Sequence, residues 1–191
     1  MAPKPPAGKG SARDAAGEGR VAVAFLEDAA PADDQLRDLV VLVVDDSPNM
    51  LKLLRTLLRA LGTGAPFEAV SAAEALRLLN DVPVDVVITD LAMKPVSGLD
   101  LVKALRAHPR AAVRRLPIVM LTGHTDAELV LEARDAGIDD FLAKPVAVKT
   151  LGERLARIVT SRRPFVATPA YTGPERRVRS RPVDGPDRRR R

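Results

Sequence analysis

The sequence predicts an α/β domain in which helices cover both faces of a parallel β-sheet. Five short apolar runs, rich in Val, Ile and Leu, alternate with five segments of helical character. Short runs without polar alternation are typical of strands buried on both faces, and regular alternation with helices implies right-handed crossover connections. The predicted strands are residues 39–44, 67–70, 84–89, 116–122 and 140–143.

The helical segments carry local start and stop signals. Ser47-Pro48 supplies an N-cap and a proline at the first helical position, and the following leucines at 51, 54, 58 and 61 share one face. Ser71 and Glu74 form a capping box that starts the second helix. Further helices are predicted over residues 99–107, 126–136 and 147–160, with a helical turn within residues 33–38.

Composition excludes several classes of protein. The chain has no cysteine, which excludes a disulfide framework and thiolate metal sites and suits a reducing compartment. No apolar stretch approaches the roughly 18 to 20 residues of a membrane span, and Val21–Leu26 is shorter than the core of about 7 to 15 residues in a signal peptide. We therefore expect a cytoplasmic protein without membrane contact.

The two ends of the chain differ from the middle. Residues 1–35, rich in Ala, Pro, Gly and mixed charge, are predicted to be a disordered extension, and residues 37–160 a folded domain. Residues 161–191 form a proline-rich tail with ten arginines and three acidic residues, so the chain's net charge of +5 belongs to this tail. Within it we expect residues 163–166 to dock and residues from about 172 onward to be mobile.

Charged and polar residues follow the predicted strands at one edge of the sheet. Asp45 and Asp46 follow the first strand and Asp90 the third, Thr122 ends the fourth, and Lys144 follows the fifth. The carboxyl ends of parallel strands form the crevice where such sheets bind ligands. Three carboxylates there repel one another unless a cation compensates them, and oxygen ligands without His or Cys favour Mg²⁺. A carboxylate beside Mg²⁺ is suited to attack a phosphoryl group, whose oxygens the lysine and the hydroxyl would bind.

Four segments in this order resemble the receiver domain of bacterial two-component response regulators, the family of the chemotaxis regulator. They are Val43–Ser47, Asp90 with Gly98 eight residues later, Leu121–Gly123, and Phe141–Pro145. The resemblance covers about residues 39–160. It implies a flavodoxin-like fold with strand order 2-1-3-4-5, in a stand-alone receiver.

The same resemblance implies a role for each acidic residue of the crevice. Asp90 corresponds to the phosphoacceptor, and Lys144 to the residue that contacts the phosphoryl group. Asp45, Asp46, Asp90 and the backbone carbonyl of Ala92 correspond to the ligands of Mg²⁺.

The resemblance also implies a conformational switch. Thr122 and Phe141 correspond to the switch pair, and the Lys144-Pro145 bond to a cis peptide. Ala92 and His124 lie two residues beyond the phosphoacceptor and the switch threonine, where side chains of the family modulate hydrolysis. The loop after Asp90 departs from the family pattern, because its proline, Pro95, comes one residue late.

These features predict a phosphorelay response regulator, which takes its phosphoryl group from a histidine kinase or phosphotransfer protein and signals to a protein target. It would catalyse only its own phosphorylation and dephosphorylation. A degenerate receiver that is not phosphorylated and a phosphatase-like enzyme remain open. A further alternative is a receiver that gates a nucleic-acid-binding arginine tail, although only Phe165 and Tyr171 offer stacking surfaces near it. The basic residues Lys94, Arg106, Arg110, Arg114 and Arg115 are predicted to form a solvated surface.

Overall fold

A single parallel sheet of five strands organises the protein. The computed structural model describes residues 34–123 and 127–176. The strands are β1 (Val41–Val44), β2 (Phe67–Ala69), β3 (Val86–Asp90), β4 (Ile118–Thr122) and β5 (Asp140–Ala143). Their order is β2-β1-β3-β4-β5 and every pair is parallel, which confirms the predicted topology. The predictions for residues 1–33 and 177–191, disorder above all, lie outside the described residues.

Four helices connect the five strands, and a fifth follows β5. They are α1 (Pro48–Ala60), α2 (Ala72–Asp81), α3 (Gly98–Arg106), α4 (Ala127–Ala136) and α5 (Val148–Thr160). A 3-10 turn, Asp34–Leu36, precedes β1 as predicted, and a single helical turn, Ala111–Arg114, precedes β4. Ser47 Oγ accepts the Met50 N–H at the start of α1. The predicted capping box is present in part: Ser71 Oγ accepts the Glu74 N–H, but the Glu74 carboxylate accepts the N–H of Val70, one residue before the N-cap, instead of that of Ser71.

The core lies in two layers, one on each face of the sheet. Alternate residues of β1 serve opposite layers, Leu42 and Val44 packing with α2, α3 and α4, and Val41 and Val43 packing with α1 and α5. Full burial of one such side chain contributes about 1.5 to 3 kcal/mol, so the strands are held on both faces. Since all five strands are parallel, their carboxyl ends lie together at one edge of the sheet. Within the described ranges, no helix has the length and apolar character that crossing a membrane requires.

A second sheet, the C-terminal hairpin, corrects the prediction for the tail. Strand β6 (Phe165–Thr168) pairs antiparallel with β7 (Tyr171–Pro174). Phe165 and Val166 are half-buried as expected, but the prediction of mobility from about residue 172 is wrong for residues 172–176. The Tyr171 hydroxyl donates to the Pro174 carbonyl at 2.7 Å, and the Glu175 N–H donates to the Pro164 carbonyl at 2.7 Å. Polar contacts therefore order a segment that offers little apolar area.

Arg106 corrects the prediction of a solvated basic surface. Arg106 lies on the inner side of α3 and is only 5% exposed. The guanidinium donates to the carbonyls of Gly137 at 2.8 Å, Arg114 at 2.9 Å and Leu116 at 2.8 Å, and it pairs with the Asp139 carboxylate at 3.1 Å. Burial lowers the pKa of Arg106 and raises the pKa of Asp139, and the ion pair opposes both shifts.

Candidate functional site

The three predicted carboxylates converge at the carboxyl edge of the sheet. Asp45 and Asp46 directly follow β1, and Asp90 is the last residue of β3, which pairs with β1. One oxygen from each carboxylate lies within 4.8 Å of the others. Asp45 is 1% exposed and Asp90 7% exposed, whereas Asp46 is exposed at the rim. The cluster therefore joins two buried acids to one that solvent reaches.

Lys144 bridges the two buried carboxylates. Its Nζ lies 2.9 Å from Asp90 Oδ1 and 3.3 Å from Asp45 Oδ2, and its side chain is 23% exposed. Burial raises the pKa of the Asp45 carboxyl, and the Asp90 charge adds to that effect. The Ser47 N–H, which donates to Asp45 Oδ1 at 2.9 Å, and the Lys144 ammonium oppose it. One lysine thus compensates part of the charge of three carboxylates.

The backbone of Asp90 is positioned by close contact with Gly98, the first residue of α3. The Gly98 N–H donates to the Leu91 carbonyl at 3.0 Å. A Cβ at Gly98 would lie 1.8 Å from the Asp90 carbonyl oxygen, far inside any tolerable contact. This position therefore requires glycine. Gly98 was singled out in the sequence only through the family resemblance, and its contact with the Asp90 backbone was not predicted.

The loop between β3 and α3 lies over the acidic cluster. The Lys94 N–H donates to Asp46 Oδ2 at 3.1 Å, a contact that the sequence did not reveal. Ala92 lies exposed in this loop, two residues from Asp90. The Lys144-Pro145 peptide is cis, as the resemblance implied, and the Lys94-Pro95 peptide is cis as well.

Thr122 and Phe141 lie on neighbouring strands beside the cluster. Thr122 ends β4, is 8% exposed and pairs in register with Ala143 of β5. Its carbonyl accepts the Lys144 N–H at 2.8 Å. Phe141 pairs with Met120 and packs half-buried against the core layer of α2, α3 and α4. Thr122 thus contacts Lys144 directly and Phe141 precedes it on β5, while the predicted modulator His124 lies outside the described residues.

The donor chemistry of the cluster fits a hard divalent cation. All of its side-chain donors are carboxylate oxygens, and they are close enough to share one ion. Mg²⁺ is bound in proteins through one or a few carboxylates, with positions left for water and phosphate oxygens. The exposed carboxylate of Asp46 leaves the cluster open to solvent on that side.

Sequence comparison identifies relatives of the sheet domain. The family model of the response regulator receiver domain matches residues 41–156. The chain is 34% identical over 122 residues to the chemotaxis protein CheY-3 of Vibrio cholerae, covering 64% of this chain and 92% of the relative. It is 33% identical over 118 residues to the chemotaxis protein CheY of Pseudomonas aeruginosa, covering 62% and 94%.

Solved structures show the same similarity. A putative response regulator from Chloroflexus aurantiacus matches with a TM-score of 0.59 and 32% identity, over 64% of this chain and 98% of that one. The receiver domain of a sensor histidine kinase from Pseudomonas aeruginosa PAO1, with magnesium coordinated in its active site cleft, matches with a TM-score of 0.59 and 26% identity. That match covers 65% of this chain and 99% of the other. The C-terminal hairpin lies beyond the matched residues 41–156.

Proposed function

Because the chain belongs to the response regulator receiver domain family, we propose that it is a phosphorelay response regulator phosphorylated on Asp90. The phosphoryl group comes from a histidine kinase or phosphotransfer protein, and the output is contact with a protein target. The observation that carries this proposal is the convergence of three carboxylates, two of which pair with Lys144, whose Nζ lies 2.9 Å from Asp90.

The chemistry is a transfer from a phosphohistidine to a carboxylate. An Asp90 oxygen attacks phosphorus, the bond from phosphorus to the imidazole nitrogen breaks, and the electron pair leaves with the imidazole. Lys144 offers its charge to the phosphoryl oxygens beside Asp90. Asp45, Asp46, Asp90 and the Ala92 carbonyl would hold Mg²⁺, which when bound neutralises charge on the transferred group.

The conformational switch that follows phosphorylation involves Thr122 and Phe141, which lie beside the site. The Thr122 hydroxyl hydrogen-bonds a phosphoryl oxygen, Phe141 moves inward, and the surface of α4, β5 and α5 shifts between two packings. Ala92 and His124 modulate hydrolysis of the aspartyl phosphate. The donor is consumed only in modifying this chain, so the protein is not an enzyme acting on external substrates.

The alternative of a nucleic-acid-binding tail gains no support from the described residues. Arg162 donates to the Arg115 carbonyl, Arg163 to the Asp139 carbonyl, and Arg176 pairs with the Asp135 carboxylate at 3.4 Å. These guanidinium groups contact the protein itself. The arginines of residues 177–191 lie outside the described residues.

The test is phosphorylation by acetyl phosphate with Mg²⁺, measured by intact mass. We expect one added phosphoryl group on the unmodified chain and none on Asp90→Asn. The matched control is Asp81→Asn at an exposed aspartate that ends α2, which should be phosphorylated normally. Equal phosphorylation of Asp90→Asn would exclude Asp90 as the acceptor.

A further inference from the structure

The C-terminal hairpin rests on a defined seat, formed by Arg106, Arg115, Gly137 and Asp139. The ring of Phe165 lies beneath two guanidinium groups, with its centroid 5.7 Å from the Arg106 carbon Cζ and 5.6 Å from that of Arg115. Arg106 is in turn fixed by the Asp139 carboxylate and the Gly137 carbonyl. Arg163, which precedes the hairpin, donates to the Asp139 carbonyl. The hairpin thus depends on residues immediately before β5.

The seat tolerates little displacement. Gly137 has φ of +98°, and a Cβ there would lie 2.6 Å from the Thr172 carbonyl oxygen. A Cβ at Gly173 would lie 2.8 Å from the Gly137 Cα. The two backbones are therefore in direct contact, without side chains between them to absorb a shift. Close-packed contacts of this kind transmit displacement rather than damp it.

The opposite end of β5 carries the candidate site. Lys144, the residue after β5, pairs with Asp45 and Asp90, and its N–H donates to the Thr122 carbonyl. From Asp139 to Lys144 the strand spans only about 17 Å at roughly 3.3 Å per residue. The switch residue Phe141 lies between them. One short strand thus joins the ion pairs of the site to the seat of the hairpin.

We propose that docking of the C-terminal hairpin is coupled through β5 to phosphorylation of Asp90, so that phosphorylation weakens docking. This inference rests on the proposed function. The hairpin is docked in the state in which Lys144 pairs with both carboxylates. When Asp90 is phosphorylated, Lys144 exchanges those ion pairs for a contact with the phosphoryl group. Movement of Lys144 shifts the strand, and the seat loses its fit at Asp139. Coupling between two sites is reciprocal, so a docked hairpin opposes phosphorylation.

Tyr171 reports on the hairpin without any label. It is the only tyrosine in a chain without tryptophan, so the tyrosine fluorescence of the protein reports on β7 alone. Its hydroxyl donates to the Pro174 carbonyl, and the Arg176 guanidinium lies 3.8 Å from the ring centroid. Loss of docking exposes the ring to a soluble quencher such as acrylamide.

The first experiment treats the full-length chain with acetyl phosphate and Mg²⁺ and measures intact mass and acrylamide quenching of Tyr171 together. We expect quenching to increase with the added phosphoryl group, and to stay constant in Asp90→Asn under the same conditions. A phosphorylated chain with unchanged quenching overturns the coupling. A chain that gains no mass overturns the proposed function as well, so the two failures are distinguished.

The second experiment tests the reverse direction. Phe165→Ala removes the ring beneath Arg106 and Arg115, and Ala167→Ser at an exposed position of β6 is the matched control. We expect Phe165→Ala to bind beryllium fluoride, a mimic of the phosphoryl group, roughly 5-fold or more tightly in the presence of Mg²⁺. The control should bind as the unmodified chain, as measured by calorimetry. Unchanged affinity in a Phe165→Ala variant whose Tyr171 is exposed to quencher refutes the coupling.

Discussion

Replacing Arg106 with alanine should destabilise the fold severely. The change removes three hydrogen bonds to carbonyls and one partner of an ion pair whose side chains are 4% and 13% exposed. Breaking a buried pair by removing one partner costs about 3 to 5 kcal/mol, because the other charge stays buried and uncompensated. We therefore expect the free energy of unfolding to fall by at least about 3 kcal/mol. Arg110→Ala is the matched control, since this exposed arginine also donates to two carbonyls, those of Leu79 and Asn80, and should cost less than about 1.5 kcal/mol.

The assay is urea unfolding followed by circular dichroism, with a second variant and a second pH to identify the cause. Arg106→Ala/Asp139→Asn should lose less stability than the sum of its single changes, because it leaves no buried charge. Burial already raises the pKa of Asp139 above 3.8, and loss of Arg106 raises it further. A carboxyl whose pKa is raised in the folded state binds its proton more tightly there than in the unfolded chain, so protonation stabilises the fold. The loss of stability in Arg106→Ala should therefore become smaller as the pH falls through the raised pKa of Asp139. A loss under about 1 kcal/mol, independent of pH, would refute the buried-pair argument.

Three further predictions concern the candidate site. Gly98→Ala should abolish phosphorylation, because its Cβ would lie 1.8 Å from the Asp90 carbonyl oxygen and would displace the Asp90 backbone. The control Gly64→Ala, whose Cβ would have nothing within 4 Å, should be phosphorylated normally. Intact mass after treatment with acetyl phosphate measures both outcomes. Asp46→Ala should weaken Mg²⁺ binding more than Asp45→Ala, because Asp46 is exposed whereas the Asp45 carboxylate already binds Lys144 and the Ser47 N–H, so we expect Asp46 to ligate the metal directly and Asp45 to act through water. Calorimetric titrations in the opposite order would exchange these roles. Because burial raises the pKa of Asp45, protons should compete with Mg²⁺ at a higher pH than they would at an ordinary aspartate. The affinity for Mg²⁺ should therefore fall as the pH is lowered towards that pKa. An affinity for Mg²⁺ that does not change down to pH 4 would contradict this.

The fold was predictable because its determinants are local. The strands β1, β3 and β4 are formed mostly of apolar residues, and α1 and α2 begin after Ser47 and Ser71, whose hydroxyls accept N–H groups of the first turn. Within the parallel sheet, the errors are at the ends of the strands. The fourth strand was predicted from Leu116 but begins at Ile118, because the Leu116 N–H donates to the Val113 carbonyl and completes a helical turn instead.

The convergence of the acidic cluster was predictable for a different reason. Topology alone brings the carboxyl ends of β1, β3 and β5 to one edge, so residues that end those strands or directly follow them lie together there. Arg106 offered no such signal. A charged residue on an amphipathic helix is usually exposed, and its partners here, among them the Gly137 carbonyl and the Asp139 carboxylate, are 31 and 33 residues away in the chain. Only the three-dimensional structure shows that three backbone carbonyls accept hydrogen bonds from its guanidinium.

The tail shows where reasoning from area alone fails. Burial of one apolar side chain contributes about 1.5 to 3 kcal/mol, while ordering each residue costs roughly 1 to 2 kcal/mol, so Phe165 and Val166 could fix only a few residues. The chain is nevertheless ordered to Arg176, because Gly173 meets the Gly137 backbone and Arg176 both stacks on Tyr171 and pairs with Asp135.

Within the segment Gly173-Pro174-Glu175-Arg176-Arg177, residues 173–176 therefore contact the rest of the protein, although the composition of the segment is that of an unstructured one. The same pattern recurs at Gly185-Pro186-Asp187-Arg188-Arg189, outside the described residues. That copy follows residues 178–184, which contain no aromatic side chain, whereas the first copy follows Phe165 and Tyr171. Tyr171 contacts Arg176 of the docked copy, while Phe165 contacts Arg106 and Arg115 of the sheet domain. The contacts of the docked segment therefore involve the aromatic residues before the repeat, so the repeat alone does not predict docking.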